Sequence, residues 1–112
     1  MPLSSTDLPL TESTLLILLS LSQEPKHGYA ILKEVQSLSE GRVRLSTGTL
    51  YGALKRLLDD GWIVRVDDPE PNGTDRERKA YILTDRGKNI LRVEVERLRK
   101  LVTLAKARVV ET

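Results

Sequence analysis

The chain has 112 residues, 18 Lys and Arg against 16 Asp and Glu, one His and no Cys, which points to one domain with a modest core. Without cysteine and with a single histidine, disulfides, thiolate metal sites and His-based metal clusters are excluded, and no cofactor is expected. No apolar run is long enough to cross a membrane, and MPLSSTDLPL at the start lacks the basic stretch of a secretory signal, so a cytoplasmic protein with no membrane partner is the expectation.

The net charge of +2 is unevenly laid out. Residues 1–40 carry −3, residues 41–66 carry +3, residues 67–79 carry −2 and residues 80–112 carry +4. Positive charge therefore gathers on two segments. That suits a phosphate-facing surface, and equally a pair of solvated helices.

In chain order, residues 1–9 hold two prolines and no periodicity, and read as an N-terminal arm. Thr11 to Leu21 is a first helix, capped by Thr11. Leu15, Leu16, Ile17, Leu18, Leu19 and Leu21 leave it little polar face, and a helix apolar nearly all round is buried on most sides. In a chain this small that suggests a second subunit covers part of it. Pro25 breaks the chain between Gln23 and Lys26. A second helix starts near His27, with Tyr29, Leu32, Val35 and Gln36 along one side, Ile31 and Leu38 flanking, and Lys33, Glu34 and Ser37 outward. Gly41 to Leu45 is a short connection carrying Arg42 and Arg44.

Ser46 to Gly61, STGTLYGALKRLLDDG, is the stretch the rest is organised around. Ser46 or Thr47 can cap its first turn by accepting from otherwise unpaired N–H groups. Gly61 supplies a residue free to turn left-handed at the stop. Leu50, Ala53, Leu54, Leu57 and Leu58 repeat at helical spacing and form one apolar stripe. The opposite face carries Gly48, Gly52, Lys55, Arg56 and Asp59, with Tyr51 on its edge. Each glycine there costs about 1 kcal/mol relative to Ala and packs nothing. Such a face suits close approach to another surface, a nucleic-acid groove being the natural candidate. The alternative is a plain core helix with casual glycines.

Trp62 to Val66 reads as a strand. Asp67 to Glu77 is a polar loop with the turn pair Asn72-Gly73. Arg78 to Leu83 reads as the returning strand, Ala80 and Ile82 alternating against Tyr81 and Leu83. Thr84 caps a final helix that could run to about Val109. Its length, roughly 38 Å at 1.5 Å per residue, exceeds what the domain needs for itself. Leu91, Val95, Leu98, Val102, Ala105 and Val109 alternate steps of four and three, the seam of a coiled coil, and predict a dimer interface. The competing possibility is a helix that packs back on its own domain.

Three helices, a hairpin and a long helix make a mainly α winged helix-turn-helix with a C-terminal dimerisation helix. Its divisions are an arm over 1–9, a winged-helix domain over 10–83 and the dimerisation helix over 84–112. In this architecture the third helix enters the DNA major groove and the wing touches adjacent backbone or minor groove.

The sequence also resembles the PadR family of bacterial transcriptional regulators, especially its short subfamily. The matching pieces are LLILLSLSQEPKHGYAILKEV, STGTLYGALKRLLDDGWI and RKAYILTDRGKNIL with a Leu-rich C-terminal helix. The pairing of HGY with GTLY is the most specific of them. The resemblance implies a homodimeric repressor on a two-fold operator. Gly52 departs from the family pattern, which often has Pro after the Tyr. In the short subfamily drug-like ligands bind between subunits, stacked on an aromatic residue of the C-terminal helix, but no aromatic residue follows Tyr81 here. An effector would meet Leu, Val and Ala walls, or none exists.

The candidate DNA contacts are Ser46, Thr47, Gly48 and Thr49 at the start of the third helix, one of the hydroxyls being a cap. Lys55 is the candidate mid-face phosphate contact, against a merely solvated lysine. Tyr51 could donate its hydroxyl to phosphate while its ring covers Leu58, or sit at the core edge. Tyr29 poses the same choice, and the resemblance tips it toward backbone contact. Arg76, Arg78 and Lys79 on the wing could reach phosphate or the minor groove, although Asp75 and Glu77 interleave with them. Trp62 reads as core or dimer edge, and His27 as a local structural residue. Arg97, Arg99, Lys100, Lys106 and Arg108 read as the solvated flank of the coiled coil. The partners expected are double-stranded DNA and a second copy of the chain. The rival from another class is a winged-helix module that binds protein. An enzyme is the remotest reading, because no nucleophile–base pair, phosphate-cradling loop or metal spacing is present.

Overall fold

The computed structural model describes residues 8–67 and 79–109. In order it contains α1 (Glu12–Ser20), α2 (Gly28–Leu38), α3 (Thr47–Asp59), β1 (Ile63–Asp67), β2 (Lys79–Leu83) and α4 (Asp85–Val109). This is the expected mainly helical winged fold. Residues 1–7 of the arm, and the wing tip with Asn72-Gly73, Arg76 and Arg78, lie outside the described residues.

The caps explain the helix starts. Thr11 Oγ1 accepts from the Thr14 amide at 3.1 Å, and Ser46 Oγ accepts from the Thr49 amide at 3.1 Å. Of the two hydroxyls that could open the third helix, Ser46 is the cap and Thr47 its first residue. Gly61 has φ +77°, the left-handed turn that ends α3.

The core is built from one face of every element. Ile17, Leu18, Ile31, Val35, Leu50 and Ile63 have no exposed surface. α1 packs on both α2 and α4. Leu16, Ile17, Leu18 and Leu21 are buried within the one chain, and Leu15 and Leu19 are part-buried against the same core. The near-uniform apolarity of α1 is thus met by intrachain neighbours on two sides and does not itself require a second subunit. On α2 the buried residues are Gly28, Ile31 and Val35. Tyr29 is 66% exposed, so it does not share the core-facing side with Val35, as the apolar pattern suggested.

β1 and β2 are antiparallel, with Ile63 opposite Leu83 and Asp67 opposite Lys79. The other edge of β2 is also paired. Lys26 and Tyr81 exchange both backbone hydrogen bonds, at 3.1 and 2.9 Å. The segment read only as a break before the second helix therefore supplies a third strand position. A strand with neighbours on both edges has little open surface, and Ala80, Tyr81 and Leu83 are all buried where strict alternation was expected.

Thr84 sets the direction of α4. Its amide donates to the Trp62 carbonyl at 3.0 Å, its hydroxyl donates to the Gly61 carbonyl at 2.6 Å, and its Oγ1 accepts from the Gly87 amide at 3.0 Å. Gly87 lies flat on the Trp62 backbone, where a Cβ would sit 3.0 Å from the Trp62 carbonyl carbon. Trp62 itself is core, 6% exposed.

The first half of α4 belongs to the core: Gly87, Ile90, Leu91 and Glu94 are buried. Glu94 is the last of them. Its carboxylate accepts from the Leu10 amide at 2.9 Å and from the Arg97 guanidinium at 2.5 and 2.9 Å. Beyond it the helix leaves the core, and residues 101–109 are all exposed. Leu91 packs into the chain's own core and Leu98 is part-buried, whereas Val95, Val102, Ala105 and Val109 are exposed.

Candidate nucleic-acid interface

α3 turns its apolar stripe fully inward, with Leu50, Leu54 and Leu57 at most 2% exposed. Its other face is left open. Gly48, Thr49, Gly52, Lys55, Arg56 and Asp59 are all exposed. A Cβ placed at Gly48 or Gly52 would meet nothing within 4 Å. The glycines are therefore not demanded by packing inside the chain. At the N-terminal end Ser46 and Thr49 are engaged with each other, Ser46 donating to Thr49 Oγ1 at 2.9 Å. The amides of Thr47 and Gly48 precede the first intrahelical bond, which leaves donors at this end of the exposed face.

The two sequence motifs HGY and GTLY meet in space. Gly28 opens α2, and a Cβ there would lie 2.8 Å from Tyr51 Cζ on α3. Only a glycine leaves room for the ring. The hydroxyl end of Tyr51 thus rests against the start of α2, a contact that neither sequence reading of Tyr51 included. Tyr51 stays 39% exposed, at the edge of the open face. Tyr51 also acts on Tyr81, whose phenol is pushed up from its ordinary value, first by burial and then by Tyr51, with Arg65 opposing.

Each residue of HGY has a separate task. His27 Nδ1 hydrogen-bonds the Lys79 carbonyl at 3.0 Å, fastening α2 to the base of the wing. Gly28 accepts the Tyr51 ring. Tyr29 projects outward, with Lys33 Nζ 5.3 Å from its ring centroid, a cation–π pair that presents a phenol and an ammonium together. The start of α2, the start of α3 and the wing base are thus held as one unit.

The cations differ in how firmly they are held. Lys55 is 77% exposed and touches Asp59 at 3.4 Å, a loose pair of the kind that yields to another anion. Lys79 is exposed at the start of β2. Arg65, exposed on β1 opposite Tyr81, is a wing cation that the sequence pattern did not single out, because nothing in a single strand marks which face meets a ligand. Arg42 is clasped by Glu12 through both guanidinium nitrogens, at 2.5 and 2.6 Å. That contact holds the Glu12 carboxyl below the usual carboxylate range and raises the Arg42 guanidinium. Among the described residues no group of three or more His, Cys, Asp or Glu could hold a metal ion, and no helix is long and apolar enough to cross a membrane.

Residues 17–93 match the model of the transcriptional regulator PadR-like family. No curated protein sequence matches the chain. Solved structures do. A PadR family transcriptional regulator from Eggerthella lenta is 34% identical, with 90% of this chain and 86% of that one covered and a TM-score of 0.60. A PadR family transcription regulator from Clostridium difficile is 26% identical, with 87% and 97% covered and a TM-score of 0.70. Bacillus subtilis PadR, solved in complex with operator DNA, is 29% identical over 73% of this chain and 46% of its own, with a TM-score of 0.62.

Proposed function

The chain belongs to the PadR-like family of transcriptional regulators, and on that premise we propose that it is a cytoplasmic homodimeric repressor that binds a palindromic operator. It regulates by occupancy and turns over no substrate. The observation that carries this reading is the open face of α3, bare at Gly48 and Gly52 and flanked by Lys55 and Arg56. A helix stripped of side chains on its exposed side can lie deep against base edges, which the major groove is wide enough to admit. Ser46, Thr47, Gly48 and Thr49 then face bases or the nearest phosphates, Lys55 and Tyr29 take backbone, and Tyr51 donates at the margin. Lys79, with Arg76 and Arg78, follows the strand alongside. The solved complex of B. subtilis PadR with operator DNA supports duplex DNA as the partner.

Dimerisation runs through α4. Val95, Val102 and Val109 are 47%, 51% and 58% exposed, and Leu98 and Ala105 complete the line with Leu91 at its rooted end. An open groove floored by Leu83, Leu91, Val93 and Val95 adjoins that line and supports a second copy lying across it. Two α3 helices about 34 Å apart would then read successive major grooves. A small effector, if one acts, works by favouring one spacing of the two subunits.

Gly52→Leu tests the reading. The site is open, so the variant folds, and Leu is the better helix former by up to about 1 kcal/mol. If α3 enters a groove, the same side chain blocks it: melting temperature is held or raised while duplex binding is lost. Unchanged duplex binding would remove α3 from the interface.

A further inference from the structure

The Glu12–Arg42 pair joins two elements at the entrance to α3. The other exposed ion pairs among the described residues lie within a helix or a turn. Here the partners are 30 residues apart, one in the first turn of α1 and the other on the Gly41–Leu45 connection that leads into the α3 cap. Both side chains keep more than half of their surface in solvent, at 61% and 52%.

Three physical points make the pair exchangeable. The contact is two-pronged but lies in water, where screening and the cost of ordering two long side chains offset much of its gain and leave it open to a competing anion. The guanidinium fork fits a phosphate as it fits a carboxylate, through two parallel N–H donors. Glu12, in the first turn of α1, stays favoured by the positive end of its own helix when Arg42 departs. The pair also ties a residue of the −3 segment, 1–40, to one of the +3 segment, 41–66.

We propose that Arg42 is a phosphate contact held in reserve by Glu12, the DNA backbone replacing the carboxylate on its guanidinium as α3 seats. The proposal rests on the DNA-binding reading above. Arg42 then adds one neutralised phosphate, and Glu12 is a brake that lowers affinity for any duplex alike. Arg44, whose Nε donates to the Gly41 carbonyl at 3.3 Å, has no ion pair with a carboxylate among the described residues.

The test uses the full-length protein with a duplex from upstream of its own gene and a scrambled duplex of equal length, over a series of salt concentrations. Arg42→Ala should weaken binding to both duplexes and reduce the slope of log affinity against log salt by about one. Arg42→Lys should keep the slope with part of the affinity lost. Glu12→Gln should tighten binding to both duplexes severalfold, and in the Arg42→Ala background it should do nothing. Melting temperatures check that all variants fold. An unchanged slope in Arg42→Ala overturns the proposal, as does an equal effect of Glu12→Gln with and without Arg42. In either case, duplex binding by the wild type keeps the DNA reading intact. A wild-type protein that binds neither duplex at low salt sinks both.

Discussion

At the scale of single residues, small side chains decide where large ones go. Gly28 carries the Tyr51 ring on its bare backbone, and an Ala methyl there would need the phenol to swing away. The obstacle is the far end of a half-exposed side chain, which can move. Gly28→Ala should therefore alter stability by no more than about 1 kcal/mol. It should turn Tyr51 out over the open face of α3 and weaken duplex binding roughly tenfold, the equivalent of a lost hydrogen-bonded contact. Unfolding curves and duplex titrations on one preparation separate the two effects; a large loss of stability with intact binding would contradict the assignment. The Ser46 cap was legible from the chain because capping is local. The Gly28–Tyr51 contact was not, because it joins residues 23 apart through the packing of two helices. All the sequence could show was that each motif was unusual.

At the scale of elements, the six segments follow from local signals, and their ends fall close to the expected caps and glycines. What escaped is what no periodicity encodes. The Lys26–Tyr81 pairing is a single bridge, and the side of α2 that faces the core was misjudged because Tyr29 is apolar enough to pass for a core residue. The Glu94 carboxylate is a further case. A buried acid in an amphipathic helix reads as surface charge until its partners are seen. Arg97 first, and then the Leu10 amide, hold this carboxyl below the ordinary carboxylate range. A group whose folded pKa is lowered stabilises the fold above its unfolded pKa and ceases to do so as pH falls through the folded value. Glu94→Gln should cost about 1–3 kcal/mol at neutral pH. Its melting temperature should then fall less than that of the wild type as the pH drops from neutral into the acid range. Parallel curves would mean that the carboxylate does not couple α4 to the start of α1.

At the scale of the whole molecule, a core of modest size supports a helix that continues past it. Its outer half offers Val95, Leu101, Val102, Leu104 and Val109, each 47% or more exposed. The coiled-coil spacing was readable in the sequence, but Leu91 shows how such a pattern overlaps with ordinary core packing: the same repeat roots the helix in its own subunit before it reaches outward. Val102→Asp puts a charge on the open part of the seam without touching the core. It should yield a folded monomer by light scattering, with near-wild-type helix content and much weaker duplex binding, because two half-sites are no longer read together. A dimer of unchanged stability would place the interface elsewhere.

The central claim is that the open face of α3 is built for duplex DNA. The most direct measurement titrates the wild-type protein into labelled duplex from upstream of its own gene and into a scrambled duplex, at low and at physiological salt. Tight binding to the upstream duplex is expected, with weaker binding to the scrambled one and a steep loss of both with salt as displaced counterions cease to drive association. No binding to either duplex at low salt would contradict it.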